Sequence, residues 1–300
     1  MTAAQSPVRW AIDLSLLLNT VLGKDRFPVD VPELAREYSA KRYPDDPISL
    51  VRGEVLPGFD GALYRAPAGK KGWGIFFNHG IASKGRINYT LAHEFGHYLM
   101  HRAAYPNGFR CGDQDVVRWD SEYRQIEHQA NVFAANLLMP LDDYRRQIDA
   151  HAKVDLDMIS HCADRYCVSL IAALLRWLEY TARRAVLVVS RDGFILWARS
   201  SERALKTGAF FRTSRSPVAV PPASLAGRQD RLVDGRTGVD VPAGVWLRED
   251  AREMTIFADQ YDFAVSLLML ADDAPSIWHD EESEHDVYDR FMAGATGARR

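Results

Sequence analysis

The period of the apolar positions changes several times along this chain, and each change marks an element. Residues 6–22, built around "WAIDLSLLLNTVL", alternate at helical spacing and predict an amphipathic helix. "DVPELAREYSAK" predicts a second, with Asp30 as its N-cap and Pro32 in its first turn. Strand-like runs follow, "ISLVRGEVL", "GALYRA" and "GWGIFFN", the last two flanking "PAGKK" as the arms of a hairpin would. Helical spacing returns in "NYTLAHEFGHYLMH", residues 88–101, with a cap expected near Ser83. After a loop rich in Gly, Pro and Asp ("AYPNGFRCGDQD"), residues 120–138 are helical again and stop at Pro140, and "LDDYRRQIDAHA" makes a further short helix.

Beyond residue 150 the texture shifts twice. Residues 155–180 predict two helices about a tight turn, "DLDMISHCADRYC" and "VSLIAALLRWLEYT". From about Arg184 the runs are of β type, "AVLVVSRDGFILWARS" and "MTIFADQYDFAVSLLML", separated by a Pro/Gly/Ser/Arg-rich stretch at 212–244 that predicts a long loop over a sheet. Residues 272–300 carry eight acidic residues against three arginines, the composition of a solvated tail. The expected organisation is α+β: a first domain over 1–150, a helical connector of helix-turn-helix-like layout over 151–184, a β-rich domain over 185–271 and the acidic tail.

Composition narrows the setting. With 300 residues and 47% hydrophobic content the chain can bury more than one core. A net charge of -3 gives no overall basic field. Within 153–184 five basic residues face four acidic ones, so direct DNA binding is not expected. Three cysteines, Cys111, Cys162 and Cys167, with no CxxC pair, fit free thiols in a reducing cytoplasm. The opening "MTAAQSPVRW" lacks a basic leader region, and the apolar stretch after it carries Asp13 and Asn19 and falls short of the ~20 residues that span a bilayer. A cytoplasmic protein without a membrane segment is the expectation.

The chemistry sits in HExxH, residues 93–97. On a helix, positions i and i+4 lie about 40° apart and one turn along, so His93 and His97 present their imidazoles to one point. Glu94, about 100° round from His93, is poorly placed as an equal ligand but near enough to reach a water held there. Gly96 in mid-helix costs about 1 kcal/mol against alanine, so a close backbone approach is expected at that position.

A third ligand is needed. His101 continues the ladder, yet by rise alone it lies ~12 Å from His93 on a straight helix, too far to share one ion. It is expected to be a packing or supporting residue. Glu127, thirty residues beyond His97 on the next helix, is the better choice. Asn131 falls one turn further on the same face, where its side-chain oxygen could accept the spare N–H of a ligating histidine. For a donor to an oxyanion the candidates are His79, at the strand-to-helix junction, and Tyr98, with Arg118 and His128 behind them. The strand "GWGIFFN" is a candidate to accept an extended substrate as an added strand.

"RINYTLAHEFGHYLMH" followed by "EHQANVFAANLLMP" resembles the ImmA/IrrE metallopeptidases of bacteria and phages, and the likeness runs over about residues 28–150. The resemblance implies a gluzincin-like core, helices packed on a small antiparallel sheet, with His93, His97 and Glu127 on zinc (manganese being the alternative) and Glu94 as general base. It also implies a zinc-dependent endopeptidase whose substrate is a specific protein, a helix-turn-helix repressor, cleaved to release genes of stress response, DNA repair or mobile elements. In the radiation-resistance branch a helix-turn-helix-like segment and a GAF-like sensor domain follow the core, a layout that 151–184 and 185–271 share without a common motif. The alternative is a regulatory module that carries the metal and grips a repressor or antitoxin without cutting it. The oligomeric state is not legible in the sequence.

Overall fold

The computed structural model describes residues 5–106, 108–110, 121–213, 216–229, 232–258 and 262–273. They belong to two units: Met1–Asp143 with Ala163–Ser169, and Tyr144–Cys162 with Leu170–Met292. Residues 111–120, with Cys111, Arg118 and Trp119, and 274–300, most of the acidic tail, lie outside the described residues.

In the first unit, helix α1 (Pro7–Leu22) begins where the Ser6 side chain accepts the N–H of Arg9. Helix α2 (Val31–Arg42) begins where Asp30 accepts the N–H of Glu33 at 2.9 Å, the cap expected from the sequence. Strands β1 (Ile48–Glu54), β2 (Gly61–Arg65), β3 (Trp73–Asn78) and β4 (Gly108–Arg110) form one sheet in the order β1-β3-β2-β4. Strands β2 and β3 are the expected hairpin, Leu63 facing Ile75 across an antiparallel register. Strand β4 lies inside the stretch expected to be loop. It closes on β2 only because Gly108, at φ +97, brings its backbone where a Cβ would stand 2.3 Å from the Leu63 carbonyl oxygen.

Two expectations are corrected here. The sheet is mixed: β1 runs parallel to β3, with Val51 facing Ile75, because β3 inserts between β1 and its own hairpin partner. For the same reason β3 is flanked on both sides and has no free edge on which an extended substrate could add.

Helix α3 (Lys84–Met100), capped by the Ser83 hydroxyl accepting the N–H of Arg86, packs on helix α4 (Ser121–Leu138). Their apolar faces supply the core: Leu91, Ala92, Phe95 and Leu99 from α3, Ile126, Ala130, Phe133 and Leu137 from α4, all buried. Gly96 is where the two helices come closest. A Cβ there would lie 2.8 Å from the Phe133 ring and 3.4 Å from the Ala130 backbone, the approach that a mid-helix glycine announced.

Helices α5 (Leu141–Gln147), α6 (Leu156–Tyr166) and α7 (Leu170–Leu178) follow. The chain bends by 108° between α6 and α7. Arg176 on α7 is buried and paired with Glu179 at 2.5 Å rather than presented to solvent.

The second unit is built on an antiparallel sheet of six strands, β5 (Ala185–Arg191), β6 (Phe194–Ser200), β7 (Val218–Ala219), β8 (Val239–Val241), β9 (Ala251–Ala258) and β10 (Phe263–Leu270), in the order β7-β6-β5-β10-β9-β8. Short helices α8 (Glu202–Lys206) and α9 (Leu225–Arg228) accompany it. Asp192 and Gly193 turn between β5 and β6 with φ of 51° and 77°, the positive pair that a two-residue hairpin requires. The stretch 212–244, expected to be loop throughout, contains β7, α9 and β8. Helix α9 is held at its start by the buried Glu253 carboxylate, which accepts the N–H groups of Leu225 and Ala226 at 3.0 and 3.1 Å.

No single helix among the described residues is long and apolar enough to cross a membrane.

Candidate metal centre

The site begins with the anchoring of α3. The Arg86 guanidinium grips both oxygens of Asp60 at 2.6 and 2.8 Å, fastening the first turn of the helix to the residue that precedes β2. That clamp sets Gly61 against the same helix. A Cβ on Gly61 would stand 2.4 Å from the Thr90 methyl and 3.0 Å from Glu94 Oε1, so only bare backbone fits beside this carboxylate. Deeper in the helix, Asn88 donates to the Cys167 carbonyl at 3.2 Å.

With α3 and α4 fixed by their shared core, three side chains converge. His93 Nε2 and His97 Nε2 lie 2.9 Å apart, Glu127 Oε2 is 3.1 Å from the first, and Glu127 Oε1 is 3.3 Å from the second. Ligands held at ~2.0–2.1 Å on a tetrahedral ion sit roughly 3.3 Å from one another, so the two imidazole nitrogens and the Glu127 carboxylate already stand near the spacing zinc needs. Two nitrogens and one carboxylate oxygen are also the donor types that zinc accepts. Among the described residues this is the trio of His, Cys, Asp or Glu groups that could hold a metal ion.

The electrostatics follow from burial. Burial alone would lower His93, but the charge and hydrogen bond of Glu127, with Glu94 behind, outweigh it and push His93 up to about 9. Burial lowers His97 to about 4, helped by its histidine neighbours and opposed by Glu127. Burial would raise Glu127, yet the two imidazoles hold it well below the usual carboxylate range. Glu94 is 1% exposed, and burial followed by repulsion from Glu127 pushes it up to about 8. Its Oε2 is buried with no hydrogen-bond partner among the described residues.

The remaining site candidates separate cleanly. Asn131 Oδ1 lies 3.1 Å from His93 Nδ1, the nitrogen turned away from the trio. His101 lies beside His97 rather than among the three, Nδ1 to Nδ1 at 3.0 Å, and its Nε2 meets Gln129 Oε1 at 2.9 Å. Tyr98 is corrected. It is fully buried, its hydroxyl donates to the Asp46 carbonyl at 2.7 Å, and its ring stacks on Phe95, so it builds the core and offers nothing to a substrate oxyanion. His79 stands exposed just beyond β3, its backbone N–H on the Glu54 carbonyl, and is not in the trio. His128 is exposed on α4.

Sequence reasoning missed two residues here. Gln129 is one; Tyr89, whose hydroxyl donates to the Asn131 backbone carbonyl at 3.1 Å, is the other. Tyr89 was open to discovery, since it lies four residues before His93 on the same helical face. Gln129 was not, because it lies about 200° round α4 from Glu127.

Comparison with known proteins bears on the same segment. No curated protein matches the chain. Residues 49–178 match the family model described as IrrE N-terminal-like domain (Peptidase_M78). The matched segment runs from β1 to the end of α7 and so contains the trio, Glu94 and the α6–α7 helix pair. Residues 49–178 are thus similar to the ImmA/IrrE metallopeptidases, the family that the two helix motifs resemble.

Proposed function

We propose that this protein is a zinc-dependent endopeptidase that cuts a specific protein partner, a helix-turn-helix transcriptional repressor, and so releases genes of stress response, DNA repair or mobile elements. The observation that carries the enzymatic reading is Glu94. A purely structural metal site needs a closed set of ligands and has no use for a further buried carboxylate beside it. Among the described residues Glu94 Oε2 is buried without a hydrogen-bond partner, a costly arrangement that calls for a use.

His93, His97 and Glu127 would hold the ion. What zinc supplies there is Lewis acidity, which polarises a carbonyl and brings the pKa of a water towards ~7. Glu94 does the proton work. Its carboxyl is buried beside the two imidazoles, raised by burial and Glu127 in the protein's own groups, and beside a bound cation it can take a proton from water and return it to a leaving amine. Gly61 keeps the other side of that carboxylate free of side-chain bulk. Asn131 accepts from His93 Nδ1 and thereby turns the Nε2 lone pair towards the ion.

The β-rich second unit is assigned the part of sensor, by the layout it shares with the radiation-resistance branch. The test is co-incubation of the full chain with repressors encoded beside it, with and without chelator. A discrete fragment that appears only without chelator supports the reading. Stable co-purification with a repressor that is never cut, by wild type and by Glu94→Gln alike, favours the non-cutting regulatory module.

A further inference from the structure

Helix α4 delivers more to the site than Glu127 and Asn131. From Gln129 Oε1 a contact of 2.9 Å leads to His101 Nε2, and from His101 Nδ1 one of 3.0 Å leads to His97 Nδ1. We infer that Gln129 is a positioning residue: acting through His101, it fixes the tautomer of His97 in which Nε2 is free to bind metal. The inference rests on the metal-site reading proposed above.

An amide oxygen only accepts, so the nitrogen it faces, His101 Nε2, carries the hydrogen. A neutral imidazole has one N–H, which leaves His101 Nδ1 as an acceptor. His101 is 6% exposed, and its Nδ1 meets the Nδ1 of His97. His97 Nδ1, 3.0 Å away, must then be the donor. Its one hydrogen being spent there, His97 Nε2 presents a bare lone pair towards His93 and Glu127. Reversing the Gln129 amide reverses every step and puts a hydrogen on the ligating nitrogen.

The two metal histidines are thus oriented by one helix in different ways. His93 is set directly by Asn131, at 3.1 Å. His97 is buried at 0% exposure beneath the α3–α4 contact, and His101 carries the signal from Gln129 to it. Partners of this kind behind a ligating histidine are worth about 10–100-fold in metal affinity. This gives the third histidine of the H-x3-H-x3-H ladder a definite task.

The experiment uses the full chain stripped of metal and titrated with Zn2+ against a chromophoric chelator, with thermal melts of the stripped proteins as the control for folding. Gln129→Leu should weaken zinc binding 10–100-fold, and Gln129→Glu, which keeps an acceptor, should restore it to within a few-fold of wild type. Long-range nitrogen–proton NMR of the zinc-loaded wild type should show His101 protonated on Nε2 alone and His97 on Nδ1. Zinc binding by Gln129→Leu equal to wild type, or His101 protonated on Nδ1, overturns the inference and leaves the metal site standing. The spectrum decides by itself should Gln129→Leu fail to fold. A wild-type chain that does not retain zinc is a different result and removes the metal reading together with this one.

Discussion

His93 Nδ1 and Asn131 Oδ1 lie 3.1 Å apart, an α3 imidazole held by an α4 amide one helical turn beyond the carboxylate that its other nitrogen meets. The pair ties ligand orientation to helix packing. Asn131→Leu removes the acceptor, and zinc affinity should fall about 10–100-fold while Asn131→Asp keeps most of it. Competition with a chelator of known affinity reads the difference; equal affinities for Leu and Asn would show that the contact does nothing for the metal.

Glu94→Gln should leave zinc content and melting behaviour near wild type and remove cleavage, since the loss of a general base alone costs ~10²–10⁴-fold in rate. Metal analysis and a fragment assay on the same preparation are the measurements. Cleavage at an undiminished rate would end the mechanism.

The pH dependence follows from the shifted groups. In protein stripped of metal, His93 sits at about 9 while His97 sits at about 4 and Glu127 is ionised. At pH 7 His93 therefore carries a proton that a ligating imidazole cannot keep, and zinc must displace it. Affinity should rise with pH up to about 9 and then flatten, with at least one proton, that of His93, released per ion bound near neutrality. Calorimetry in buffers of different ionisation enthalpy counts that proton. A flat affinity between pH 6 and 8.5 would contradict it.

Stability of the stripped protein should run the other way. His93 is raised above its ordinary 6.5, so its contribution is present below 6.5 and is lost as pH rises through about 9. Glu94, raised above 4.5, loses its contribution as pH rises through about 8. The melting temperature of stripped protein should fall between pH 7 and 9.5, and Glu94→Gln should fall less.

Gly96→Ala weighs two effects of opposite sign. Helix propensity favours alanine by about 1 kcal/mol. Overpacking a filled contact costs ~1–3 kcal/mol, and the new methyl would stand 2.8 Å from the Phe133 ring. The clash should win, lowering thermal stability and, by moving α4 off α3, weakening zinc binding as well. An alanine variant more stable than wild type with unchanged affinity would mean that the helices are not held at contact distance there.

What could be read before the fold was known is what repeats within one element. HExxH places two imidazoles on one face because helical geometry is local, and Ser83 and Asp30 mark helix starts by short-range chemistry. The choice of Glu127 drew on the next helix having its own apolar face, again a property of one segment. The order of the sheet was not legible: nothing in "ISLVRGEVL" or "GWGIFFN" says that β3 will lie between β1 and β2, since pairing depends on contacts far apart in sequence. Tyr98 was misjudged for a related reason, because its nearness to the histidines along the chain says nothing about which neighbours bury it.

The sequence by itself determined which groups could meet a metal and which of them share a helical turn. The crossing of α3 over α4 decided the rest: that His93, His97 and Glu127 come within 3.3 Å contacts, that Glu94 Oε2 is buried with no hydrogen-bond partner among the described residues, and that Gln129, on the flank of α4 opposite Glu127, reaches back through His101. Periodicity fixes a side chain's angle about its own axis. Only packing fixes where two axes cross, and that crossing is where the chemistry lies.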